Sequence, residues 1–168
     1  MKSSFNYRVG SINDFDQLKQ LGYLSYSEFQ KVLTPENWKK LSTGLENDEK
    51  HKELISKSKV LVCEDKGKII GVGYLVPSGN PEGVFQEDWS FIRRVGVDPS
   101  YRGHGIAKKI TELCIKEATA SNEKILALHT SEFMDAARHI YESLGFKKVR
   151  EIDPIFGKRY WLYLLDLG

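Results

Sequence analysis

The chain has 168 residues, 40% hydrophobic and 29% charged, with 25 basic and 23 acidic side chains and a net charge of +2. Roughly two-thirds of the unfolded surface can be buried at this size, enough for one core, so the reading is a single domain over 1–168. Interspersed charge signs exclude a broad nucleic-acid or anionic-membrane footprint, and no stretch approaches the roughly 20 apolar residues of a membrane span.

The amino-terminal run Met1-Lys2-Ser3-Ser4-Phe5-Asn6-Tyr7 lacks the apolar stretch of a secretion signal, so the expected location is cytoplasmic. Phe5 to Val9 reads as a first strand, and Ser11-Ile12-Asn13-Asp14 as a capping box opening a helix through about Leu24. Thr34-Pro35-Glu36 opens a second helix, with Thr as cap, Pro at the first helical position and Glu favourable to the dipole. This helix carries Trp38, Leu41 and Leu45 and continues or restarts before Leu54-Ile55. Tyr23, Tyr26, Phe29 and Trp38 are expected as core, with an acceptor-pocket wall as the other reading.

Val60 to Glu64 and Ile69 to Val76 flank the turn signal Asp65-Lys66-Gly67-Lys68, which predicts an antiparallel hairpin. Cys63 lies in the first of these strands and Cys114 in a later helix. Their spacing fits no metal or redox motif, so both are expected to be buried free thiols in a reducing compartment. Pro77 to Glu87 reads as a loop, a mobile hairpin or a gate, leading to a strand over Ser90 to Val97. Alternation along that strand puts Phe91, Arg93, Val95 and Val97 on one side, so Arg93 and Arg94 should face opposite ways, with a surface ion pair as their expected use.

The strand runs into Asp98-Pro99-Ser100-Tyr101-Arg102-Gly103-His104-Gly105-Ile106-Ala107, and the helical spacing of Ile106, Ile110, Leu113 and Ala118 starts a helix near Gly103 to Gly105. The first amides of a helix have no partner within it and point outward beside a partial positive charge, so a phosphate suits this turn. Gly103 and Gly105 admit close approach and positive φ, and Arg102 adds a forked cation. The chain lacks the Lys-Ser/Thr of a P-loop after the glycines, and Lys108 stands where a dinucleotide fingerprint needs its third glycine. Ile125 to His129 is a further strand. Phe133, Ala136, Ala137, Ile140, Tyr141 and Leu144 mark a helix stopped by Gly145, and Phe146 to Arg150 and Arg159 to Leu165 are the last strands.

Arg102-Gly103-His104-Gly105-Ile106-Ala107 resembles the Arg/Gln-x-x-Gly-x-Gly/Ala signature of the GNAT superfamily of acetyl-CoA-dependent N-acetyltransferases. Ala136-Ala137-Arg138-His139-Ile140-Tyr141-Glu142-Ser143-Leu144-Gly145-Phe146 is similar to that family's Ala-x-x-x-Tyr-Glu-x-x-Gly-Phe segment. The resemblance is strong from about Phe91 to Phe146 and weak before it. It implies an α/β fold, with a central, mostly antiparallel mixed sheet and helices on both faces.

The implied activity is direct acetyl transfer from acetyl-CoA, as cosubstrate, to a primary amine. No covalent enzyme intermediate is implied, because neither cysteine falls in the motifs. Val95, Gly96 and Val97 match the bulged strand that aligns the pantetheine arm, and Gly96 suits the bulge. Arg102 and the amides of Gly103, His104, Gly105, Ile106, Ala107 and Lys108 match the diphosphate cradle. Tyr141 matches the general acid near the coenzyme sulfur. The base is left among His129, Glu87 and Asp88: a histidine has an ordinary pKa suited to neutral pH, and a carboxylate acts through water. Met134 stands where many members carry an asparagine. A non-catalytic acyl-CoA-sensing module and, more distantly, a phosphate-loop nucleotide enzyme are the alternatives; no metal is called for, and a homodimer is a further possibility.

Overall fold

The structure is a computed structural model that describes residues 5–168; residues 1–4, on which part of the reading of the amino terminus rests, lie outside the described residues. One seven-stranded sheet is built from β1 (Asn6–Val9), β2 (Lys59–Asp65), β3 (Lys68–Val76), β4 (Ser90–Val97), β5 (Ile125–Ser131), β6 (Lys147–Ile155) and β7 (Lys158–Asp166). Their order is β1-β2-β3-β4-β5-β7-β6, and every neighbouring pair is antiparallel except β4 and β5.

Among the described residues five α-helices flank the sheet: α1 (Phe15–Tyr26), α2 (Pro35–Leu45), α3 (Asp48–Lys57), α4 (Ile106–Ala120) and α5 (Asp135–Ser143). Leu18 and Leu21 of α1 and Leu54 and Ile55 of α3 bury against Val62, Val72, Tyr74 and Phe91 on one face. Ile106, Ile110 and Cys114 of α4 and Tyr141 of α5 bury against Leu61, Ile70, Ile92 and Leu128 on the other. The expected mostly antiparallel sheet covered on both sides is therefore present, and both cysteines are free and buried.

Local chemistry sets the helix starts. Ser11 and Asp14 form the capping box, although its first turn is 3₁₀ and α1 proper begins at Phe15. Thr34 Oγ1 accepts from the Asn37 amide 3.2 Å away, with Pro35 at the first helical position. The second helical run does not continue. Asn47 breaks it and caps α3, its Oδ1 accepting from the Lys50 amide at 3.1 Å.

β4 departs from simple alternation. Gly96 pairs with Val72 and Arg93 with Tyr74, so Arg94 and Val95 together oppose Gly73, and Arg94 takes up the extra length at φ 52°. The bulge expected in this strand is thus present and includes Val95, but it falls on Arg94 and Val95 rather than on Gly96. Gly96 is required for a different reason: a Cβ there would lie 2.6 Å from Ser25 Oγ, so its absence lets α1 lie close on the strand. The bulge also resets the faces. Phe91 lies on the α1–α3 face while Val95 and Val97 pack with α4, so the predicted common side for Phe91, Arg93, Val95 and Val97 is wrong.

The 77–87 segment is tied down rather than loose. Phe85 is 3% exposed and stacks on Phe91 with ring centroids 4.3 Å apart, while the Gly79 amide donates to the Glu87 carbonyl at 2.7 Å. The last two strands are longer than predicted and meet at Phe156-Gly157, both with positive φ (52° and 73°).

Candidate active site

The parallel partners β4 and β5 share only Ser90–Leu126 and Phe91–Ala127; beyond that point β4 stays on β3 and β5 stays on β7. From Ile92 to Val97 on one strand and Leu128 to Thr130 on the other, facing backbone edges lose their ladder partner. Both edges line a cleft of ≈ 780 Å³, the scale of a small-molecule site. Unpaired strand edges offer alternating N–H and C=O groups to an extended polar chain.

The start of α4 forms one end of this cleft, through Arg102, Gly103, Gly105, Ile106, Ala107 and Lys108. Gly105 is the N-cap at φ 72°, in the left-handed region; it offers no side-chain cap, and the first turn holds no acid. Among the described residues no side chain therefore caps the amides at the positive end of this 15-residue helix. His104 is exposed and does not line the cleft; its ring packs edge-on against Phe5 at 5.7 Å. The Arg102 guanidinium is held by Glu28.

Tyr141 comes from α5 and lines the cleft between these regions, 8% exposed. Burial raises its pKa, so the hydroxyl keeps its proton across the physiological range. No protein group accepts from that hydroxyl among the described residues. On the α1–α3 side, Tyr26, Phe29, Phe133 and Tyr160 make an aromatic wall, with Tyr26–Phe29 centroids at 5.2 Å and Phe29–Phe133 at 4.8 Å. Of the four aromatics singled out in the sequence, Tyr26 and Phe29 line the cleft. Tyr23 and Trp38 instead pair with each other outside it, at 6.3 Å.

His129 also lines the cleft, stacked on Phe85 at 5.3 Å with Nδ1 buried and unpartnered. Burial, reinforced by the Arg93 charge, pushes its pKa down to about 4, so it is neutral at pH 7 and a weak base. Glu87 and Asp88 are exposed and do not line the cleft. The carboxylate that approaches β4 is Glu82, which pairs with Arg93.

Several cleft residues carry no signal readable from the sequence. Ile155 and Phe156 reach in from the β6–β7 turn, and Lys40, Leu41 and Gly44 from α2. Met134 lines the cleft with its sulfur accepting from Thr130 Oγ1 at 3.3 Å.

The sequence model of the acetyltransferase (GNAT) family matches residues 21–146. The N-acetylaspartate synthetase of Xenopus tropicalis is 35% identical over 88 residues, covering 52% of this chain and 30% of that protein. The N-alpha-acetyltransferase 30 of Saccharomyces cerevisiae is 34% identical over 78 residues, 46% of this chain and 40% of that one. The chain thus spans less than half of either relative. The PaiA N-acetyltransferase of Thermoplasma acidophilum, solved in complex with coenzyme A, superposes with a TM-score of 0.79 at 16% identity, covering 97% of this chain and 99% of that one.

Proposed function

The chain belongs to the acetyltransferase (GNAT) family, and on that premise we propose that it transfers an acetyl group from acetyl-CoA to a primary amine by direct attack within a ternary complex. One observation carries the reading: the uncapped, acid-free start of α4 and the open β4/β5 edges meet in the same cleft as Tyr141. An extended arm ending in a diphosphate fits that arrangement, because its amides find strand edges and its charge finds free helix amides. Gly103, Gly105, Ile106, Ala107 and Lys108 would hold the diphosphate, and Val95 and Val97 would align the arm. The thioester supplies an activated acyl carbon.

The roles of the chain's own groups follow from their protonation. Tyr141, held protonated, donates a hydrogen bond to the departing sulfur. A cysteine-like thiol has a pKa near 8.5, so a donor with a raised pKa stabilises developing thiolate without giving up its proton fully. His129 is neutral and lines the cleft, so its unprotonated ring nitrogen would accept a hydrogen bond from the incoming amine or from a water that carries the proton outward where that nitrogen faces the cleft. With a pKa near 4 it does not hold that proton; solvent takes it. Glu87 and Asp88 have no part in this scheme.

The test is release of free thiol from acetyl-CoA against a panel of primary amines. Acceptor-dependent release supports transfer. Binding of acetyl-CoA with no release for any amine favours the sensing module, and tight binding of ATP without CoA would revive a nucleotide enzyme.

A further inference from the structure

The bulge in β4 puts two consecutive arginines on one face. Ile92 and Val95 both pack with α4, so the residues between them, Arg93 and Arg94, are left to the α1–α3 side, where both line the cleft. Arg93 is spoken for by Glu82. Arg94 has no ion pair or hydrogen bond among the described residues, although it is half-buried and its charge bears on Tyr26, Tyr74 and His51.

The acids that line the cleft cannot neutralise Arg94. Glu28 holds Arg102 and Asp135 holds Arg138. The histidines beside the arginines are neutral, both pushed down to about 4 by burial, with Arg94 adding to the effect at His51 and Arg93 at His129. Glu82 serves both Arg93 and Lys57, whose Nζ lies 3.2 Å from its other oxygen, so Arg94 is left without a counter-charge among the described residues at this end of the cleft. A non-glycine residue at φ 52° also costs conformational energy, which the surrounding structure has to sustain.

Resting on the acetyl-transfer reading above, we propose that the acceptor is an amine that also carries a carboxylate, and that Arg94 is the specificity-determining residue that binds it. A guanidinium presents a planar fork that a carboxylate matches with two hydrogen bonds. The same positive field repels a protonated ammonium and favours the neutral, nucleophilic amine, which lessens the demand on a base as weak as His129. A polyamine or a lysine side chain lacking a nearby carboxylate is disfavoured twice, by repulsion and by the unmet guanidinium.

The experiment pairs each α-amino acid with its carboxamide, and free dipeptides with their C-terminal amides, beside polyamines, measuring acetyl-CoA-dependent thiol release and, separately, CoA affinity. Charge-assisted hydrogen bonds of this kind correspond to roughly 10- to 100-fold, so at least one acid is expected to exceed its amide by that factor in kcat/KM. Arg94→Gln should bring the acid-to-amide ratio close to one with CoA affinity unchanged, and Arg94→Lys should keep part of the ratio. Equal use of acids and amides by the unaltered protein, preference for polyamines, or no acetylation of any panel member while CoA binds would each overturn the proposal. The first two leave acetyl transfer standing; failure to bind CoA would instead remove the reading on which the proposal rests.

Discussion

Gly105→Ala separates the helix start as an anion cradle from the helix start as a turn. Gly105 sits at φ 72° and a Cβ there meets no protein atom within 4 Å. Its stability cost is therefore the left-handed backbone alone, about 1–2 kcal/mol, or a fall in Tm of about 2–8 °C for a chain of this size. Gly67, in the β2–β3 turn at φ 83° with equally open space around it and away from the cleft, is the matched control. Gly67→Ala should lose about the same Tm. The two variants should part in CoA affinity by calorimetry: the open space beside Gly105 is where a diphosphate would lie, so a methyl group there and a displaced amide should weaken binding roughly 10- to 100-fold, the worth of one charged hydrogen bond. Gly67→Ala should bind as the unaltered protein does. Equal CoA affinity for Gly105→Ala and the unaltered protein, or an equal loss in both variants, would refute the cradle.

Tyr141→Phe should lower turnover at least tenfold with CoA affinity unchanged, measured by thiol release and calorimetry; unchanged turnover would remove the hydroxyl from the chemistry. His51 and His129 both have native pKa values near 4 against an ordinary 6.5. The unfolded chain binds more protons between those values, so their stabilisation is complete above pH 6.5 and is lost as pH falls toward 4. The loss is on the order of 3 kcal/mol for each as an upper bound. Urea midpoints should decline across that window, and the double variant His51→Gln, His129→Gln should flatten the decline; an unflattened slope contradicts the neutral-histidine account. Gly96→Ala should destabilise by about 1–3 kcal/mol through contact with Ser25 Oγ at 2.6 Å. Ser25→Ala should recover part of that loss, because the next contact, Ser25 Cβ, is 3.2 Å away; additive losses in the thermal-unfolding cycle would disprove the contact.

The parts of the fold with a strong local cause were readable from the chain. Thr34 and Pro35 can hardly do anything but open a helix, Lys66-Gly67 turns a hairpin, and Gly103 to Gly105 following a β-rich run marks a strand-to-helix turn. The parts decided by packing were not. The resemblance pointed to a bulge at Val95 to Val97, but nothing in Ile92-Arg93-Arg94-Val95 marks that it falls on Arg94 and Val95, which the register on β3 fixes; one inserted residue then moved Val95 and Val97 to the other face and put both arginines together. Phe156 was hidden for a similar reason, since an aromatic residue is a poor cue for a positive-φ turn. Glu87 was a candidate because of its proximity in sequence to β4, and the structure places it outside the cleft. That strand opens only from Ile92 onward, and at about 3.3 Å per residue Glu87 stands well short of the opening.

Backbone amide shifts recorded while CoA is titrated into the ¹⁵N-labelled protein test most directly whether the cleft between β4 and β5 and the start of α4 form one binding site. The largest changes are expected at Gly103, Gly105, Ile106, Ala107 and Lys108, together with Val95 to Val97 and Leu128 to Thr130, and they should saturate together at a single stoichiometry. Changes confined to the outer depression lined by Gln17, Lys19, Tyr23 and Glu46, or no changes at the α4 amides at saturating CoA, would contradict the account.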